Sequence, residues 1–190
     1  MLSAKLRAAL DNLLPGAGED EAYLDTPTLR DAAVLIAFTD RPNPGVILTQ
    51  RPQWLRSHAG QVAFPGGKID PTDPTPAAAA LREAREEIGL PAHCVEPLGY
   101  APPYHTRSGF RIFPVVGLVD PRFVPDPNPD EVAEIFSVPL EILMDPARHR
   151  IGFREAPTGK RYFYEMPYGR YHIWGVTAGV IRRLYERIYL

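Results

Sequence analysis

The stretch 66–90 constrains the fold more than any other part of the chain. Gly66-Gly67-Lys68-Ile69-Asp70-Pro71-Thr72-Asp73 leads towards Arg82-Glu83-Ala84-Arg85-Glu86-Glu87-Ile88-Gly89-Leu90. Pro76 to Ile88 reads as a helix: Thr75 is placed to cap it, proline is tolerated in the first turn, Ala77 to Leu81 has high helix propensity, and Gly89 sits where a C-terminal cap belongs. At 100° per residue Glu83, Glu86 and Glu87 share one stripe. Like charges at these spacings cost an isolated helix about 0.2–0.5 kcal/mol per pair, so the stripe calls for cations. Arg82 neutralises only part of it.

On its own, an acidic helix face is ordinary solvated surface. The glycines alter that reading. Gly66-Gly67 follows the apolar, strand-like Gln61 to Phe64 and Pro65, so the backbone turns sharply and can approach a metal or ligand closely, offering a carbonyl oxygen. Oxygen donors without nearby His or Cys suit a hard divalent ion, Mg²⁺ or Mn²⁺, better than Zn²⁺.

Gly67 to Leu90 resembles the signature of the Nudix hydrolases: Gly, five residues, Glu, seven residues, then Arg-Glu-apolar-x-Glu-Glu-x-Gly-apolar. Two departures are visible. Asp73 stands where Glu is usual, and eight residues separate it from Arg82. One branch of the family, the coenzyme A pyrophosphatases, carries both changes together with an upstream signature. That signature is similar to Ile47-Leu48-Thr49-Gln50-Arg51-Pro52, then Arg56, His58, Gly60, Val62 and Phe64-Pro65-Gly66-Gly67, with Pro52 in place of Ser and Ile47 in place of Leu. Asn128-Pro129-Asp130-Glu131-Val132, Val138-Pro139-Leu140 and Ile173 to Ala178 also look like that branch.

Composition excludes several classes. The chain has 190 residues, 45% of them hydrophobic, enough for one compact core. A formal net charge of −2 lacks the basic excess of a nucleic-acid surface. The single cysteine, Cys94, precludes an internal disulfide, suits a reducing cytosol and reads as a small buried hydrophobe. Neither a membrane span nor a leader peptide is visible, so the expected location is cytoplasmic. The 22 prolines cluster at 71–76, 102–103 and 121–129, which read as loops between strands.

Apolar spacing predicts a short amphipathic helix over Ser3–Leu14, strands over Ala32–Phe38 and Val46–Arg51 joined by an extended turn, and strands near Cys94–Ala101 and Arg111–Val119. It further predicts a hairpin of Tyr162–Glu165 with Arg170–Ile173 and a last helix over Trp174–Tyr189, with Val176, Val180, Ile181, Leu184, Tyr185 and Ile188 facing inward. The class is α+β: a mixed β-sheet between helices, which the resemblance specifies as the Nudix α/β/α sandwich. Residues 1–29 are expected to form a helix and lead-in packed on a Nudix domain of 30–190, in a single compact unit.

The resemblance implies hydrolysis of the coenzyme A diphosphate to 3′,5′-ADP and 4′-phosphopantetheine, or of acyl or oxidised forms. A general hydrolase of ADP-ribose, NADH, dinucleoside polyphosphates or oxidised nucleotides is the alternative within the family. A non-catalytic nucleotide-sensing module is the alternative of another kind. Matched to the family motif, Glu83, Glu86 and Glu87 would hold Mg²⁺ or Mn²⁺, with a backbone oxygen of Gly66 or Gly67 completing the shell. Arg82 would orient the carboxylates. The general base is a box glutamate or a loop carboxylate, with Glu131 ahead of Glu134. Arg51 and Arg56 would meet substrate phosphates, with help from His58, or with His58 bonding the glycine turn instead. Phe64 is expected under the box helix, and Tyr104, His105 and Phe110 in the core or lining a base pocket. The expected partner is a small-molecule nucleotide of the coenzyme A class, without nucleic acid or membrane; a homodimer is compatible with the sequence.

Overall fold

The computed structural model describes residues 6, 8, 10, 29–39, 41–157 and 159–190. The helix expected over Ser3–Leu14 lies largely outside them; of its apolar positions Leu6 and Leu10 are described, and both are buried. Two long strands form the spine, β1 (Arg30–Thr39) and, later in the chain, Phe110–Val119. They run parallel over their whole length, from Arg30 opposite Phe110 to Thr39 opposite Val119. Strands buried on both faces need apolar residues at successive positions, and Val34-Leu35-Ile36-Ala37-Phe38 supplies them.

On the other edge of β1 two short partners share the work. β2 (Gly45–Gln50) meets it only at Phe38 opposite Val46, and after β3 (Val62–Ala63) the glycine turn itself, β4 (Gly66–Lys68), pairs with Ala32, Ala33 and Val34. The turn is therefore stitched into the sheet, which fixes its backbone. Helix α1 (Pro76–Ile88) then crosses the sheet, followed by β5 (Val95–Tyr100), β6 (Tyr104–His105) and β7 (Phe110–Val119), which pair with one another antiparallel through β7. β8 (Glu134–Pro139) closes the far edge against β2.

Side-chain alternation along β1 creates two cores. Ala33, Leu35 and Ala37 face α1 through Ala79, Ala80, Ala84 and Ile88. Ile36 and Phe38 face the last helix through Val180, Ile181 and Leu184. After the short α2 (Leu140–Leu143), a separate three-stranded antiparallel sheet, β9 (Arg150–Ala156), β10 (Gly159–Tyr168) and β11 (Tyr171–Trp174), precedes α3 (Val176–Tyr189). Met166 and Ile173 bury its inner face in the second core. The layering is helix, mixed sheet, helix, an α+β fold. Among the described residues no helix is long and apolar enough to cross a membrane.

Three expectations need correcting, and one strand was missed. β9 was not foreseen, because Arg150-Ile151-Gly152-Phe153-Arg154-Glu155-Ala156 is charged and broken by a glycine. The last helix begins at Val176, since Trp174 still pairs with Glu165 and Gly175 turns the chain at φ 63°. Val176 is 37% exposed, because the first turn projects past the core. Phe64 packs in the α3 core, not under α1, because it leaves the sheet on the opposite face. Tyr104 also belongs to the α3 side: its hydroxyl lies where a Cβ on Gly179 would stand.

Candidate functional site

α1 starts where the sequence says. Thr75 Oγ1 accepts a hydrogen bond from Ala78 N at 3.1 Å, Pro76 occupies the first turn, and Gly89 ends the helix at φ 68° with Leu90 N donating to Ala84 O at 3.2 Å. Packing the alanine stripe on the sheet sets the rotation of the helix and splits the three glutamates. The Glu87 carboxyl is carried inward, 5% exposed, whereas Glu86 remains 52% exposed and Glu83 lies between.

Both inner glutamates press on the glycine turn. Gly66 N donates to Glu87 Oε2 at 3.1 Å. A Cβ on Gly67 would stand 2.4–2.6 Å from the Glu83 carboxylate, so any larger residue there displaces that group from the turn. A Cβ on Gly66 would collide with the Ala33 carbonyl at 2.4 Å. Thus the two carboxylates seat in a notch between α1 and the turn that residues 66 and 67 leave by lacking side chains.

Arg82 lies across the rim. Its Nε and Nη2 donate to the two oxygens of Asp73 at 3.1 and 2.9 Å, Nη2 also donates to the Lys68 carbonyl at 3.1 Å, and Nη1 donates to Glu83 at 3.0 Å and Glu86 at 3.1 Å. The bidentate bond from Arg82 holds the Asp73 carboxyl below its ordinary range, despite its burial. Asp73, which stands where the family pattern has Glu, is the anchor that aims Arg82. Asp73 N bonds Asp70 O in a tight turn just before the helix, which brings the carboxylate within reach of Arg82, the first residue of the Arg-Glu pattern.

The loop 126–132 closes the third side. Its backbone caps the end of α1, with Asp126 N donating to Ile88 O and Asn128 N donating to Glu87 O. Glu131 follows, within 3.5 Å of Asn128 Nδ2, and its charge acts on both Glu83 and Glu87. Burial pushes the Glu87 carboxyl up to about 7, opposed by the Gly66 N–H and Arg51 and reinforced by Glu83 and Glu131. Burial likewise raises Glu83, against the pull of Arg82. Arg51 Nη1 stands 4.0 Å from Glu87 Oε1, and its Nε has no acceptor among the described residues.

The other expected residues lie elsewhere. Arg56 and His58 are exposed on the 51–61 loop; His58 Nδ1 contacts Gln61 Oε1 at 2.8 Å, not the glycine turn. Glu134 is committed to Tyr171, whose hydroxyl donates to it at 2.7 Å, and to Arg170. Phe110 lies under the Arg30 guanidinium, and Cys94 is half-buried beside the first strand of the second half.

Residues 28–158 match the NUDIX domain. The chain belongs to the Nudix hydrolase family. It is similar to the uncharacterized Nudix hydrolase NudL of Klebsiella pneumoniae strain 342, 46% identical over 156 residues, covering 82% of this chain and 81% of that protein. The fold is similar to a Nudix hydrolase of M. smegmatis, RenU (TM-score 0.50, 27% identity, 60% of this chain and 73% of that one). It is also similar to one of Alicyclobacillus acidocaldarius (TM-score 0.55, 19% identity, 85% and 93%).

Nudix hydrolases generally use divalent metal ions. Among the described residues no three His, Cys, Asp or Glu side chains stand together as a set that could hold a metal ion. A hard cation that keeps several waters can bind through one or two carboxylates plus substrate phosphates, and the notch offers two carboxylates, Glu83 and Glu87, and a backbone turn. The residues fit the group.

Proposed function

We propose that this Nudix hydrolase splits the diphosphate of coenzyme A, and of its acyl or oxidised forms, into 3′,5′-ADP and 4′-phosphopantetheine, with Mg²⁺ or Mn²⁺ bound by Glu83, Glu87 and the Gly67 carbonyl and with Glu86 joining from the exposed rim once Arg82 releases it. The observation that carries the coenzyme A reading is Arg51. It belongs to the upstream signature, and its guanidinium reaches the Glu87 carboxylate at the mouth of the notch. A dianionic phosphate brought there would meet the Arg51 guanidinium.

When bound, the metal neutralises charge on the diphosphate and lowers the pKa of water. The chain's own residues do the rest. Glu131 accepts a proton as the water oxygen forms its bond to phosphorus; the anhydride P–O bond breaks and its electron pair leaves with the departing phosphate. Arg82, aimed by Asp73, holds Glu83 and Glu86 in place and limits their mutual repulsion. Arg56 and His58, on the loop beyond Arg51, would reach the distal part of the substrate.

A substrate panel tests the reading. Coenzyme A should turn over faster than ADP-ribose, NADH or dinucleoside polyphosphates. The reverse order would leave a general nucleoside-diphosphate hydrolase, and no turnover of any of them would leave a sensing module.

A further inference from the structure

The outer face of the three-stranded sheet holds a charge imbalance that the carboxylate site does not use. Met166 and Ile173 point into the core, so by alternation Arg161, Phe163 and Glu165 of β10 point outward. In register across from them stand Arg154, Gly152 and Arg150 of β9, and Trp174 of β11 lies opposite Glu165. Arg154 and Arg161 are thus directly facing like charges, an arrangement that destabilises a sheet. No carboxylate pairs with either of them among the described residues, and Arg161 Nε is buried without an acceptor. A buried donor left unpaired calls for an ion or water that completes it. Residues 150–174 carry five cationic and two acidic side chains, on a chain whose formal net charge is −2.

Beside the arginines lies an aromatic floor. A Cβ on Gly152 would stand 2.8 Å from the Phe163 ring, so the glycine is what lets that ring lie across the strand. Phe163 meets Trp174 edge-on at 5.3 Å, and His172 stacks on Trp174 at 6.1 Å while bonding Glu165 at 2.9 Å. The arginine row and the ring row are two residues apart, about 7 Å along the strand, a gap the sugar of a nucleotide would bridge.

We propose that this strip is a second ligand site for a mononucleotide, with its phosphate between Arg154 and Arg161 and its base on Phe163 and Trp174. An anion shared by the two guanidiniums removes their repulsion; a π-face on the aromatic row adds stacking. The site faces away from the core and lies on the α3 side of the main sheet, whereas the notch lies on the α1 side, so the proposal stands independently of the reading of the notch.

Trp174 reports on the strip directly. In a Trp54→Phe background it is the sole tryptophan. With EDTA present, AMP should quench its fluorescence saturably, and adenosine should bind at least tenfold more weakly. Arg154→Gln/Arg161→Gln should weaken AMP at least tenfold, leave the kcat of diphosphate hydrolysis unchanged, and melt no lower than its parent, because a repulsion has been removed. Quenching that survives in the double variant, or is absent from the parent, overturns the proposal. A lower melting temperature in the double variant does so too, by showing that the arginines serve the fold. An oligonucleotide that binds far more tightly than AMP, with the steep salt dependence of many phosphate contacts, would overturn the assignment to a single nucleotide.

Discussion

Glu87→Gln should make the metal-free protein more stable and the enzyme inactive. In the native state the carboxyl of Glu87 is pushed up to about 7, from an ordinary 4.5, because burial disfavours its charge. The folded protein therefore binds the proton more tightly than the unfolded chain. The stability associated with the neutral carboxyl is fully present below about pH 4.5 and is lost as pH rises through about 7. At 1.4 kcal/mol per pKa unit, the charged side chain costs the metal-free fold about 3 kcal/mol at pH 8 and under about 1 kcal/mol at pH 5. Glutamine resembles the protonated acid and retains an oxygen for the Gly66 N–H. In EDTA, the variant should melt about 6–12 °C above wild type near pH 8, using about 2–4 °C per kcal/mol for a chain of this size, and within about 3 °C near pH 5. The assay is a pair of thermal melts at each pH, so that other titrating groups cancel. A variant no more stable than wild type at pH 8, or a gap independent of pH, would refute the claim that Glu87 is a desolvated charge. Mg²⁺ should close the gap by stabilising wild type alone, and turnover should fall about 100-fold or more, beyond what loss of an indirect metal contact costs.

Three other substitutions probe the notch. Gly67→Ala places a Cβ 2.4–2.6 Å from the Glu83 carboxylate, so kcat should fall more than about 10-fold while the melting temperature moves by only a few degrees; normal turnover would show that Glu83 can swing aside without consequence. Asp73→Asn keeps the shape but loses the charge that grips Arg82, and should lower kcat about 10- to 100-fold while leaving KM little changed, as separate kcat and KM measurements would show. Arg51→Ala removes the cation facing Glu87; KM for coenzyme A should rise about 10-fold or more, the worth of a charge-assisted phosphate contact, and an unchanged KM would place the phosphate elsewhere.

Much of this was legible before folding was considered. The caps of α1 lie at Thr75 and Gly89 because capping is a local matter of one side chain and one backbone angle. The two central strands showed because their apolar runs serve two cores at once. The division of labour among Glu83, Glu86 and Glu87 was not legible. Periodicity puts them on one stripe, but only packing of Ala79, Ala80 and Ala84 on the sheet decides which carboxylate turns inward. Likewise Phe64 reads the same whichever face of the sheet it leaves from. β9 was hidden because its pairing with β10 is what makes a strand of a charged, glycine-broken segment. Asp73 was undervalued because its partner, Arg82, lies nine positions away, on the other side of a turn whose geometry brings them together.

The notch is proposed to direct water to the diphosphate of coenzyme A. Mass spectrometry of coenzyme A hydrolysed with Mg²⁺ in ¹⁸O-labelled water tests it in one measurement. The account requires 3′,5′-ADP and 4′-phosphopantetheine in equal amounts, with one ¹⁸O in one product only, and no reaction once Glu87 is glutamine. Intact coenzyme A under conditions where ADP-ribose is cleaved, or label-free products, would contradict it.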